Sequence, residues 1–132
     1  MLIEFKVLTP VSKKLRASSV EELVDRFVEI GLAQYRALVW DEIARFNKLF
    51  EQMDAVKKEL KGRPGDQRRA LLKLFDHSNS QVRLKAAIAT LAVEPEAARS
   101  LLQTIAASRE YPQAADAGLA LLQLDRGAFK PT

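Results

Sequence analysis

From Ile43 to Leu60 the chain sets Ile43, Phe46, Phe50, Met53, Val56 and Leu60 at intervals of three and four residues. That interval returns once per helical turn, so these residues share one side of an α-helix. A strand, which alternates every second residue, does not fit the pattern. Asp41, Glu42, Arg45, Lys48, Gln52, Lys58 and Glu59 occupy the other side. Gly62-Arg63-Pro64-Gly65 then stops the helix, because proline lacks the amide donor and glycine accepts turn geometry. The spacing predicts a helix over 40–61. An amphipathic helix of that length needs partners to cover its apolar face.

The rest of the chain supplies them. Ser19-Val20-Glu21-Glu22 reads as a capping box, followed at helical spacing by Leu23, Phe27, Ile30 and Gln34. Gly31 is expected to weaken that helix slightly. Asp66 caps a short helix over 67–76, and His77-Ser78-Asn79 is a turn. Further helices are predicted over 80–93, from Pro95 to about Ser108, and over 113–124, with Pro95 in a first turn where its missing N–H is harmless. The predicted fold is all-α: six helices in about three hairpins. Residues 1–18 read as an extended or poorly ordered N-terminal arm, 19–127 as the helical domain and 128–132 as a tail.

Composition narrows the function. At 132 residues the chain fits one domain, and without cysteine it forms neither disulfides nor thiolate metal sites. No uncharged stretch reaches membrane-spanning length, and the first residues lack the long apolar core of a signal peptide. A cytoplasmic protein with no membrane partner is expected. There is one histidine, His77, and neither an HExxH pattern nor a glycine-rich phosphate loop. Glu21-Glu22 and Glu94/Glu96 each open a helix, where acids complement the helix dipole. No catalytic residue, cofactor or metal ligand is therefore expected, and the chain does not read as an enzyme.

The most specific segment is Leu71-Leu72-Lys73-Leu74-Phe75-Asp76, a short turn, then Val82-Arg83-Leu84-Lys85-Ala86-Ala87 and on to Leu91. It resembles a HEAT repeat, in which a leucine-rich helix ends in Asp and the next helix opens with Val-Arg. Residues 97–122 read as a degenerate second copy. The resemblance implies a right-handed α-α superhelix. Asp76 and Arg83 flank one tight turn and are expected to form a structural ion pair. A wider resemblance runs over about residues 20–131. It is carried by Ala44-Arg45-Phe46-Asn47-Lys48-Leu49-Phe50, Arg63-Pro64-Gly65-Asp66-Gln67-Arg68-Arg69 and Gln81-Val82-Arg83-Leu84-Lys85. These segments are similar to a small bacterial family described as a domain of unknown function (number twenty-nineteen). That likeness implies a HEAT-like or armadillo-like helical fold and no particular activity.

Charge is unevenly spread. From Lys57 to Lys85 nine basic residues face three acidic ones, whereas residues 86–132 carry four against five. Such a polarised patch attracts phosphates or an acidic protein surface. The expected partner-binding residues are Arg68, Arg69, Lys73 and Lys85, with Lys57 and Lys61 behind them. Gln81 and Ile88 join them from the same helix face as Lys85. Asn47, a poor helix former among phenylalanines, is expected as a buried amide bonded to a neighbouring helix end. The reading is a non-catalytic protein-interaction module, of which an immunity protein docking on a toxin is one form. The alternative is a nucleic-acid-binding HEAT-like domain, although no aromatic platform interleaves with the lysines.

Overall fold

A computed structural model describes residues 10–132 of the chain. Among them the elements are α1 (Pro10–Ala17), α2 (Val20–Val39), α3 (Ile43–Gly62), a 3-10 helix (Gln67–Leu74), α4 (Ser80–Thr90), α5 (Pro95–Ala106) and α6 (Gln113–Asp125). The fold is all-α, with no strand among the described residues, and it has seven helical elements rather than the expected six.

The additional element is α1. Residues 1–9 of the expected arm lie outside the described residues, but Pro10–Ala17 is helical, not extended. Two causes act together. Proline pre-sets the first-turn backbone angle. At the other end Arg63, itself paired with Glu59, donates from Nη2 to the carbonyls of Leu15 at 3.0 Å and Ser18 at 2.8 Å. The Leu15 carbonyl also accepts from the Ser18 amide at 3.1 Å, so Arg63 ties down the end of a helix too short to hold itself. Leu15 then buries its side chain in the core.

In α2 the capping box forms as its sequence predicts: Ser19 Oγ accepts from the Glu22 amide and Glu22 Oε1 from the Ser19 amide, both at 3.0 Å. Leu23, Val24, Phe27, Ile30 and Gln34 are buried. Gly31 is there for space. A Cβ at this position would lie 2.9 Å from Val82 Cγ2, so the missing side chain lets α2 close on α4.

The α3 core face keeps the predicted stripe from Met53 onward and departs from it in the first half. Leu49, Met53, Val56 and Leu60 are buried, while Ile43 and Phe50 are exposed and Phe46 is half-buried. Asn47 is exposed as well and is no buried amide, because the core side of α3 passes through Leu49, one residue before the expected Phe50.

Helix α4 is the hub. Asn79 Oδ1 caps it, accepting from the amides of Gln81 and Val82. Val82, Ala86 and Ala89 pack into one core with α1–α3, while Leu84, Ala87 and Leu91 pack into a second with α5 and α6. A helix buried on opposite sides needs small residues, and its alanines provide them. In α6 the buried line is Ala114, Ala117 and Ala120, whereas Ala115 and Leu122 are exposed. The tail folds back: the amides of Ala128 and Phe129 donate to Gln123 O, and Phe129 packs on the second core.

Candidate functional site

The middle of the chain gathers the expected contact residues unevenly. Gln81 is 1% exposed and cannot meet a partner. Its Nε2 donates to Gln34 Oε1 at 3.1 Å, and its Oε1 accepts from Gln113 Nε2 at 3.0 Å. Three amides, from α2, α4 and α6, thus form one buried chain that ends at an unpartnered Gln34 Nε2. Sequence reasoning placed Gln34 on an apolar face, which was the available signal, but gave it no mate.

Arg68 is also withdrawn from the surface. It is 5% exposed and grips Asp66 through two bonds, Nε to Oδ1 at 2.9 Å and Nη2 to Oδ2 at 2.6 Å. The Arg68 guanidinium holds the Asp66 carboxyl below its usual range. Arg69 is exposed, but pairs with Glu94 at 3.1 Å and donates to Val93 O. Lys73 is exposed and lines neither cleft described below.

The expected Asp76–Arg83 ion pair does not form. Arg83 Nη1 donates to His77 O at 2.6 Å and Nη2 reaches Glu110 at 3.6 Å, while Asp76 stays exposed. The guanidinium turns back into its own loop and across to the next hairpin, away from the carboxylate.

Lys85 stands apart. It lies one turn past Gln81 on α4, half-buried between α3 and α4, with Nζ 5.2 Å from the Phe50 ring centroid and 5.9 Å from that of Phe46. Ring faces attract an ammonium at this range. It makes no ion pair with a described carboxylate. Burial pushes its pKa below the lysine range, Asp116 pulls it up and Lys57 adds to the fall. Lys85 walls a cleft of about 80 Å³ with Phe27, Phe50, Met53, Asp54, Lys57, Ile88 and Ala89. Phe50 and Met53 are expected only as apolar-face residues of α3, and Asp54 carries no expectation; all three line the cleft.

A second cleft of about 180 Å³ adjoins the first and shares Lys57, Ile88 and Ala89 with it. Its cations are Lys57, Lys58, Lys61, Arg68 and Lys130, over a floor of Ile88, Ala89, Ala92 and Phe129. Asp54 is the acid between the clefts: its carboxylate accepts from Lys58 Nζ at 2.8 Å and lies 3.4 Å from Lys57 Nζ. The hydrogen bond from Lys58 holds the Asp54 carboxyl below its usual range and raises the lysine in return. Lys61 and Lys130 make no ion pair with a described residue. So Lys57, Lys61, Lys85 and Ile88 of the expected set come together, with Arg68 at the edge as a neutralised wall.

A different exposed apolar group sits at the α2–α3 turn, where Val39, Trp40 and Ile43 project beside Asp41 and Glu42. Among the described residues no group of three or more histidines or acids is placed to hold a metal ion, and no helix is long and apolar enough to cross a membrane. The site offers apolar contact and positive charge; it assembles no nucleophile with a base.

Three comparisons with known proteins bear on this arrangement. The family model described as Domain of unknown function (DUF2019) matches residues 21–125. No curated protein matches the chain. The crystal structure of the protein RPA1889 from Rhodopseudomonas palustris CGA009 is similar at 48% identity and a TM-score of 0.87, over 89% of this chain and 98% of that one.

Proposed function

This chain belongs to the family described as Domain of unknown function (DUF2019), and we propose that it is a non-catalytic module that binds an acidic protein partner on the face made by α3, α4 and the C-terminal segment. One observation carries the reading: the half-buried Lys85 ammonium has no carboxylate of its own, beside an exposed phenylalanine and a lysine-lined groove. A partly desolvated cation without a counter-ion costs free energy that a partner's carboxylate recovers. We read the paired helices as HEAT-like hairpins in a right-handed superhelix, an architecture whose stacked pairs present extended surfaces to partners. The setting that suits this role is the cytoplasm. An immunity-type protein that neutralises a toxin by docking is one specific form, offered on fold-level analogy.

The test is affinity capture from source-cell extract with wild-type protein and with Lys57→Glu/Lys85→Glu. The expected result is a protein retained by the first, lost by the second and re-formed as a purified one-to-one complex. A captured protein that binds both forms equally would sink the proposal.

The cations Lys57, Lys58, Lys61 and Lys130 around one groove favour a second reading, nucleic-acid binding. That reading requires affinity falling steeply with salt, log-linearly in the number of phosphates neutralised. No mobility shift at low salt would remove it.

A further inference from the structure

We infer that the two adjoining clefts form one trough for a short acidic segment of the partner. The segment seats an apolar side chain beside Phe50, places a carboxylate on Lys85, and carries further carboxylates toward Lys61 and Lys130. This rests on the protein-partner reading above and specifies what that partner presents.

Continuity is the first argument. Lys57, Ile88 and Ala89 line both clefts, so an occupant of one meets the other without crossing a barrier. Between Phe50 and Lys61 the trough follows α3; at about 1.5 Å of rise per residue those eleven steps span roughly 16 Å. About five extended residues, at some 3.3 Å each, cover that length.

Polarity along the trough is the second argument. The Phe50 end is walled by Phe27, Met53 and Ile88, and its one acid, Asp54, is already engaged by Lys57 and Lys58. Carbon-rich walls of that size take a leucine-sized side chain. The ammonium at its rim faces rings rather than a carboxylate. At the other end the floor stays apolar through Ala92 and Phe129, while Lys61 and Lys130 stand without acidic mates. Of the trough's rings, Phe50 faces the Lys85 ammonium and Phe129 packs on the second core, so a nucleic acid finds no run of free aromatic faces on which to stack successive bases. An acidic amphipathic peptide uses both the floor and the lysines.

The experiment follows backbone amide shifts of the isotope-labelled full chain during titration with capped pentapeptides. The probe is Leu-Glu-Asp-Glu-Glu; the controls are Leu-Gln-Asn-Gln-Gln, Ala-Glu-Asp-Glu-Glu and a thymidine pentanucleotide. Saturable shifts are expected at Phe50, Lys57, Lys85 and Ile88. The amide analogue should bind about tenfold more weakly, the effect of losing one desolvated charge pair. The alanine analogue should bind about fivefold more weakly or worse, for its lost apolar burial. Lys85→Met, with folding checked by circular dichroism, should erase the preference for the acidic peptide. Lys61→Glu, an exposed change, should weaken it without touching the fold. Equal binding of acidic and amide peptides, tighter binding of the oligonucleotide, or shifts confined to Val39–Ile43 would overturn the inference and leave some other surface reading standing. No shift from any peptide would overturn the inference, while the protein-partner reading stands or falls separately on the capture by wild type and by Lys57→Glu/Lys85→Glu.

Discussion

Gln81 and Lys85 stand one turn apart on α4, and both carry polar atoms into the interior, yet they do opposite things there. Gln81 meets an acceptor on α2 and a donor on α6, so its amide is satisfied on both sides. Lys85 meets two phenylalanine rings and no carboxylate. A buried polar group whose partners are built in holds the fold together; one left short of a partner is available for binding. Arg68 is the control between them. It is a cation more deeply buried than Lys85, but supplied with its own carboxylate by Asp66, and the contrast turns on that one acid.

The comparison breaks first at Gln81. Gln81→Met keeps the shape but strands Gln34 Oε1 and Gln113 Nε2, and should cost about 3 kcal/mol by urea denaturation. Replacing Gln34, Gln81 and Gln113 together by leucine should cost less than that single change, since no stranded partner remains. A single change milder than the triple would show that the amide chain is not acting as a unit. Next comes Gly31, which lets α2 reach α4 closely enough for Gln34 to meet Gln81. Gly31→Val drives a branched side chain into Val82 and should cost about 2 kcal/mol in thermal unfolding. A neutral result would mean the two helices separate freely.

Asp66→Asn turns Arg68 into a more deeply buried version of Lys85 and should cost about 2 kcal/mol at pH 7, Asp66 being partly exposed. The sign with pH follows from the lowered Asp66 pKa. Its stabilisation is complete above the ordinary aspartate value of about 3.9 and is lost as pH falls through the lower folded value. The gap between wild type and variant should therefore close in acid; a gap constant down to pH 2 would contradict the assignment. The smallest effect is expected at Lys85. Lys85→Met relieves desolvation and forfeits two ring contacts, so stability at pH 7 should change by no more than about 0.5 kcal/mol while acidic-peptide binding is lost. With its folded pKa lowered, Lys85 binds its proton more readily in the unfolded chain. Wild type should gain stability relative to the variant as pH rises toward the ordinary lysine value near 10.4. The opposite slope would mean that the pull of Asp116 outweighs burial at Lys85.

Much of the fold was legible because its signals are local. The capping box at Ser19, the stop at Gly62–Gly65 and the proline at the start of α5 act within a turn of their own position, and each element appears where its signal stands. Helix α1 was missed because its stabilising bonds come from Arg63, more than forty residues away. At the site, Lys57, Lys61, Lys85 and Ile88 were found from charge and spacing. Gln81, Arg68 and Arg83 were misjudged because each side chain is claimed by a distant group, or by one whose direction spacing does not reveal: Gln34 and Gln113, Asp66, and Glu110 with the His77 carbonyl.

The sequence by itself determined an all-helical chain, most of its helix ends and a basic middle, since helix period, caps and net charge are properties of neighbouring residues. Only the tertiary structure decided which polar side chains of that middle are free. Burial and pairing depend on what other helices bring within about 3 Å, the reach of a hydrogen bond. Thus α2 and α6 bring glutamines to Gln81, while α3 brings phenylalanines to Lys85.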